Sequence, residues 1–161
     1  MITIRRFTGL DQQAVRDLIS RIMHEEFQAE KNVYPTDDIE HIETAYGGIG
    51  EAFFVAVSGQ NIVGTVAIKK EDGRVALLRR LFVASAYRNQ KIGLKLLDRA
   101  LQFCRQTGYE EIIFKTTSRM GDANRLCQKS GFLPRAKLQM GDISLLKLAL
   151  PLRRESPLRA A

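Results

Sequence analysis

Arg88, Lys91 and Lys95 surround a turn, Tyr87-Arg88-Asn89-Gln90-Lys91-Ile92-Gly93, that leads from an apolar run into a helical pattern. At a helix start the first backbone N–H groups lack intrahelical partners and the macrodipole is positive. An anion, phosphate above all, is therefore stabilised there by donors that already point at it. Gly93 lets the backbone approach closely, and a lysine at position 91 keeps such a cradle provided its φ is not forced positive. Proton chemistry is sparser. On a helical wheel advancing about 100° per residue, Glu26 falls on the same stripe as Val15, Ile19, Ile22 and Met23, where a carboxylate can attract an ammonium and accept its proton through water. Cys104 and Cys127 are the two cysteines, too few for a disulfide framework and not in a metal-ligand spacing.

The elements that must position these residues follow from periodicity. Alternation predicts a strand over Ile2–Phe7, and helical spacing predicts a helix over Asp11–Phe27. Thr36 or Asp37 caps a second helix that ends in the loop Tyr46–Gly50. Three strands, Ala52–Val57, Ile62–Lys69 and Val75–Val83, are joined by short turns, the second containing Asp72-Gly73, and form an antiparallel meander. A helix over Lys91–Gln106 is closed by Gly108, and Glu111–Lys115 is a short strand, so strand, helix and strand make a parallel crossover. Ala123–Lys129 is a short helix stopped by Gly131, and Phe132–Leu138 and Ile143–Leu150 are the last strands. Residues 1–150 make one domain, and 151–161, rich in Arg and Pro, a frayed tail.

Arg88-x-x-Lys91-x-Gly93 resembles motif A of the GNAT superfamily of N-acetyltransferases, with lysine where the family usually has its first glycine. Thr116 to Phe132 resembles the family's motif B, and the order of elements resembles the whole fold. The resemblance implies an α/β (α+β) architecture: a mixed, mainly antiparallel central sheet of about six or seven strands flanked by about four helices. It implies acetyl-CoA as cosubstrate, with no metal, and transfer of an acetyl group to a primary amine by direct attack in a ternary complex. It also implies a cofactor site made of Leu81, Phe82, Val83, Arg88, Asn89, Gln90, Lys91, Ile92, Gly93, Leu94, Thr116 and Asn124.

The chain departs from the family pattern where side chains would move protons. Cys127 stands where motif B usually offers a tyrosine acid toward the CoA sulfur; a cysteine can donate a proton, but in a helix it is more often a small buried hydrophobe. Leu77 stands where many relatives carry a strand-borne glutamate, and Glu26 offers a substitute base unless the first helix ends before it and leaves it in solvent. Tyr34, His41 and Tyr46 belong to the region that shapes acceptor pockets. A catalytically impaired CoA-binding module is the alternative that these departures motivate.

Composition narrows the partners. Residues 1–70 carry 7 basic against 10 acidic side chains, and residues 71–161 carry 18 against 8, so the basic half is the half with the phosphate turn. A polyanionic cofactor accounts for that split; nucleic acid is disfavoured because the basic residues are not interleaved with aromatics suited to base stacking. No apolar run approaches the roughly 18 residues needed to span a membrane, and Met1–Arg6 lacks the order of a signal peptide, so a cytoplasmic location is expected. The acceptor is a small molecule or peptide amine; Glu25, Glu26 and Glu30 hint at a cationic one, although such a cluster is usually a solvated helix end. A homodimer is compatible with the sequence.

Overall fold

The computed structural model describes residues 1–30 and 34–152. Seven strands form one sheet in the order β1-β2-β3-β4-β5-β7-β6. They are β1 (Ile2–Arg6), β2 (Ala52–Ser58), β3 (Asn61–Lys70), β4 (Val75–Val83), β5 (Glu111–Thr117), β6 (Leu133–Met140) and β7 (Ile143–Pro151). Only β4 and β5 pair in parallel; every other neighbouring pair is antiparallel. The helices are α1 (Gln12–Glu26), α2 (Asp37–Glu40), α3 (Ile42–Ala45), α4 (Ile92–Thr107) and α5 (Gly121–Lys129), with single 3-10 turns at Gly9–Asp11, Gln28–Glu30 and Ser85–Tyr87.

The run Ala52-Phe53-Phe54-Val55-Ala56 is apolar throughout because both faces of the sheet are covered there. On one face, Leu96, Leu97, Ala100 and Cys104 of α4 pack over Phe54, Ile68, Leu78 and Ile112. On the other, Val15, Ile19 and Met23 of α1 and Ile39 and Ile42 pack over Phe53, Val55 and Ala67. Fully burying a side chain of this size is worth about 1.5–3 kcal/mol, so α4 is fixed by its packing more than by its helix propensity. Gly108, at φ +95°, ends α4: its N–H and that of Tyr109 both reach the Cys104 carbonyl.

The expected second helix is two short ones, because His41 at φ −143°, ψ 58° interrupts the turn between α2 and α3. The expected tail starts later than residue 151: Pro151 pairs with Glu111, and Leu152 is buried in the α4-side core. Residues 153–161 of the expected tail lie outside the described residues. Among the described residues, no helix is long and apolar enough to cross a membrane.

Two irregularities of β4 matter for the site. Thr65 pairs with Phe82 and Ala67 with Arg79, so Arg80 and Leu81 together face the single residue Val66. This bulge puts Arg80 at φ +54°, and the strand bends there. Just before it, β4 loses β5: the parallel register ends at Leu78 and Phe114, while β5 continues to pair with β7 as far as Thr117. The edge of β4 from Arg79 to Val83 thus opens toward a gap rather than toward a strand.

Candidate active site

The gap is walled by two cavities. One, of about 780 Å³, runs along the phosphate turn and α5 and is lined by residues that include Leu81, Phe82, Val83, Tyr87, Arg88, Asn89, Lys91, Ile92, Gly93 and Leu94. The other, of about 510 Å³, opens on the α1 side of the sheet between β4, β5 and the β6–β7 hairpin. Leu81, Phe82 and Met120 line both, so the two cavities meet at the open edge of β4.

The larger cavity has the chemistry of an anion site. No side chain caps α4, and its first backbone bond runs from the Lys95 N–H to the Lys91 carbonyl at 3.1 Å. The N–H groups of Ile92, Gly93 and Leu94 therefore have no helical partner. Lys91 sits at φ +63° and Asn89 at φ +64°. The condition that Lys91 keep a negative φ is thus not met: the turn needs a left-handed residue there, and lysine adopts that conformation at a cost of about 1–2 kcal/mol. Gly93 is helical, and a Cβ on it would come within 3.2 Å of the Leu126 side chain, so its small size serves the packing of α4 on α5.

Arg88 lines the cavity but does not stand free. Its guanidinium grips Glu26 with two bonds of 2.6 and 2.7 Å, and its Nε donates to the Val83 carbonyl at 3.1 Å. Those bonds to Glu26 raise the Arg88 pKa above its ordinary value. Glu26 was expected on the buried stripe beside an acceptor; it lies instead at the exposed end of α1, on the wall of the larger cavity, with both oxygens engaged.

The remaining expected site residues scatter. Thr116 lines the smaller cavity rather than the larger one, and Gln90 lines neither. Asn124 is buried, its Nδ2 tying α5 to the Thr117 carbonyl at 2.8 Å while its Oδ1 has no partner. Cys127 is 0% exposed within the α4-side core, lines neither cavity, and burial pushes its thiol up to about 12. That is the environment of a packing residue, so the expected proton donor is not in position. His41 is exposed, and Tyr46 is buried with its hydroxyl donating to Asp38 at 2.6 Å.

Several lining residues were missed. Arg125 and Lys129, four apart on α5, add positive charge to the larger cavity, and Arg119 and Tyr87 join them. Their i, i+4 spacing was readable. Tyr34, which the sequence placed in the acceptor region, lines the smaller cavity, where burial raises its phenol to about 12. Glu30 is 0% exposed, and among the described residues neither of its oxygens is hydrogen-bonded and its ion pair is with the Arg119 Nε at 3.7 Å.

A family model described as "Acetyltransferase (GNAT) family" matches residues 15–132, well over half of the chain. The chain belongs to the GNAT acetyltransferase family. Among relatives of this GNAT chain, N-acetyltransferase 8 of Rattus norvegicus is 37% identical over 114 residues, covering 64% of this chain and 51% of that protein. N-acetylaspartate synthetase of Danio rerio is 33% identical over 97 residues, covering 59% and 34%. The chain thus spans about half the length, or less, of the curated relatives it matches. A GNAT-family acetyltransferase structure from Staphylococcus aureus superposes with a TM-score of 0.82 at 26% identity, covering 95% of this chain and 100% of that one. A second GNAT-like neighbour, from Salmonella typhimurium with its cofactor acetyl-CoA, has a TM-score of 0.79 at 19% identity, covers 96% of each chain, and shares the fold.

Proposed function

We propose that this GNAT protein transfers an acetyl group from acetyl-CoA to a primary amine by direct attack within a ternary complex. The observation that carries the reading is the meeting of two cavities at the open edge of β4, one basic with unpartnered helix N–H groups and one largely apolar. The residues present fit a CoA phosphate group and its arm. The N–H groups of Ile92, Gly93 and Leu94 would hold phosphate oxygens, aided by Lys91, Arg125 and Lys129, and the backbone of Leu81–Val83 would bind the arm as a strand binds its neighbour.

When bound, acetyl-CoA supplies an activated acetyl group. The chain's own part is to align an amine with it and to remove water from the join, which Leu81, Phe82 and Met120 line. Among the described residues no Asp, Glu or His lines the acceptor cavity, and Tyr34 stays neutral below its raised pKa, so the amine would enter there without a carboxylate to hold its proton. Glu30 is the buried carboxylate between elements that wall both cavities, with Arg119 on one side and Tyr34 four residues on. A module that only bound CoA would have no use for the second cavity, which argues against the impaired-module alternative.

Calorimetry with acetyl-CoA, desulfo-CoA and ATP, followed by initial rates against both substrates, tests the proposal. The expected outcome is a preference for the CoA ligands over ATP and intersecting initial-rate lines. Parallel lines would overturn direct attack in favour of an acyl-enzyme, and absence of CoA binding would overturn the function.

A further inference from the structure

The smaller cavity has an unusual charge pattern. Among the described residues five cations line it, Arg79, Arg80, Lys115, Lys137 and Lys147, and no Asp or Glu does. Arg80 is neutralised, its guanidinium bonded to Asp38 at 2.5 and 2.9 Å and to the Pro35 carbonyl at 2.6 Å. The others lack comparable partners. Lys115 and Lys147 stand directly opposite each other in the β5–β7 register, and so on one face of the sheet. Like charges in that position destabilise a sheet.

Their counter-charges are weak or committed elsewhere. Lys115 reaches Glu71 only at 3.8 Å, both side chains being largely in solvent. The carboxylate that feels Lys147 is Glu111, and it is held by Arg135 at 2.6 and 2.7 Å. Lys137 has no ion pair among the described residues. Arg79 extends the row on β4: Leu77 is in register with Ile113, and Arg79 and Lys115 each lie two residues on, along the same face. Arg79 sits 6.0 Å from the Tyr46 ring centroid. Around this row the wall is apolar, formed by residues such as Leu77, Leu81, Phe82, Leu138 and Leu145.

We propose that the acceptor is an amine carrying its own anionic group on an apolar body, a free apolar α-amino acid being the simplest such molecule. The proposal rests on the acetyltransferase reading and deepens it by naming the substrate class. The carboxylate lies against Lys115 and Lys147, relieving their repulsion; the apolar body covers the leucines; and the amine points to the join at Leu81 and Phe82. The same cations favour the uncharged form of the amine, because a like charge disfavours an ammonium. A site with no carboxylate wall thereby assists the deprotonation that attack requires. The acidic cluster Glu25, Glu26 and Glu30, read from sequence as a hint of a cationic amine, lines none of this cavity, and the correction follows from its lining.

Binding of two matched products to the full chain, N-acetyl-L-leucine and N-acetyl-L-leucinamide, tests the proposal with and without CoA. The pair differs only in the anionic group. The expected result is that the acid binds at least about tenfold more tightly than the amide, and that the ratio falls to near one when Lys115→Gln and Lys147→Gln are combined. That variant removes a repulsion, so its melting temperature should hold or rise, which keeps a loss of the ratio from being read as misfolding. Equal or tighter binding of the amide, no binding of either, or a ratio that survives the double substitution would overturn the proposal. Acetyl-CoA titration of the same sample reports on the cofactor site separately. Its failure would sink the acetyltransferase reading while the acid-to-amide ratio still decides this one.

Discussion

At the scale of single residues, the backbone part of the site was legible and the side-chain part was not. Leu81–Val83 and most of the turn from Arg88 to Gly93 do line the larger cavity, because strand, turn and helix order sets where their N–H and C=O groups stand; Gln90 lines neither cavity. Glu26 and Cys127 were placed by helical phase, which gives a direction around an axis but says nothing about what stands opposite. Arg88, 62 residues away, captures Glu26, and the α4-side core encloses Cys127. Cys127→Ala is expected to keep the rate of acetyl transfer while costing about 1–2 kcal/mol of stability, read as a lower melting temperature. A thiol raised to about 12 by burial should also resist a disulfide reagent until the chain unfolds.

At the scale of elements, the meander, the crossover and both glycine-ended helices were readable, since each rests on local periodicity and turn chemistry. The bulge in β4 was not, because it is held from outside its own strand. Thr65 Oγ1 donates to the Arg80 carbonyl at 2.7 Å, and the Arg80 side chain is anchored by Asp38 of α2, which also accepts from Tyr46. Burial pushes the Asp38 carboxyl up, but the hydrogen bonds and charge of Arg80 outweigh it and leave the pKa below its ordinary value. The unfolded state therefore takes up the Asp38 proton first as pH falls. The stability from this pair is complete above the usual aspartate value of about 3.9 and is lost as pH falls through the lowered folded value. Asp38→Asn, by leaving Arg80 buried and unpaired, should cost about 3–5 kcal/mol at neutral pH and give a shallower loss of melting temperature on acidification. An unchanged acid profile would show that the bulge does not depend on this pair.

At the scale of the whole molecule, the charge split is only partly a signal to a ligand. The acidic first half supplies Glu26, Glu30 and Asp38, and each meets an arginine of the basic second half: Arg88, Arg119 and Arg80. The end of α1, the turn Gln28–Glu30 and α2 are thus tied electrostatically to β4 and to the loops that follow β4 and β5, a pairing no local pattern could reveal. Of the other cations in the second half, Arg79, Lys115, Lys137 and Lys147 line the smaller cavity and Lys91, Arg125 and Lys129 the larger. Of the three pairs, Glu26–Arg88 has a kinetic meaning. A carboxylate already seated on Arg88 is a tethered competitor for whatever anion the phosphate turn receives, present at a local concentration no solute can match. If the turn receives the cofactor as proposed, this competition would weaken the hold on it and shorten its residence time. Glu26→Gln should tighten CoA a few-fold, as removal of a partly exposed pair worth about 0.2–1 kcal/mol allows, with the change seen in a slower dissociation rate by stopped flow.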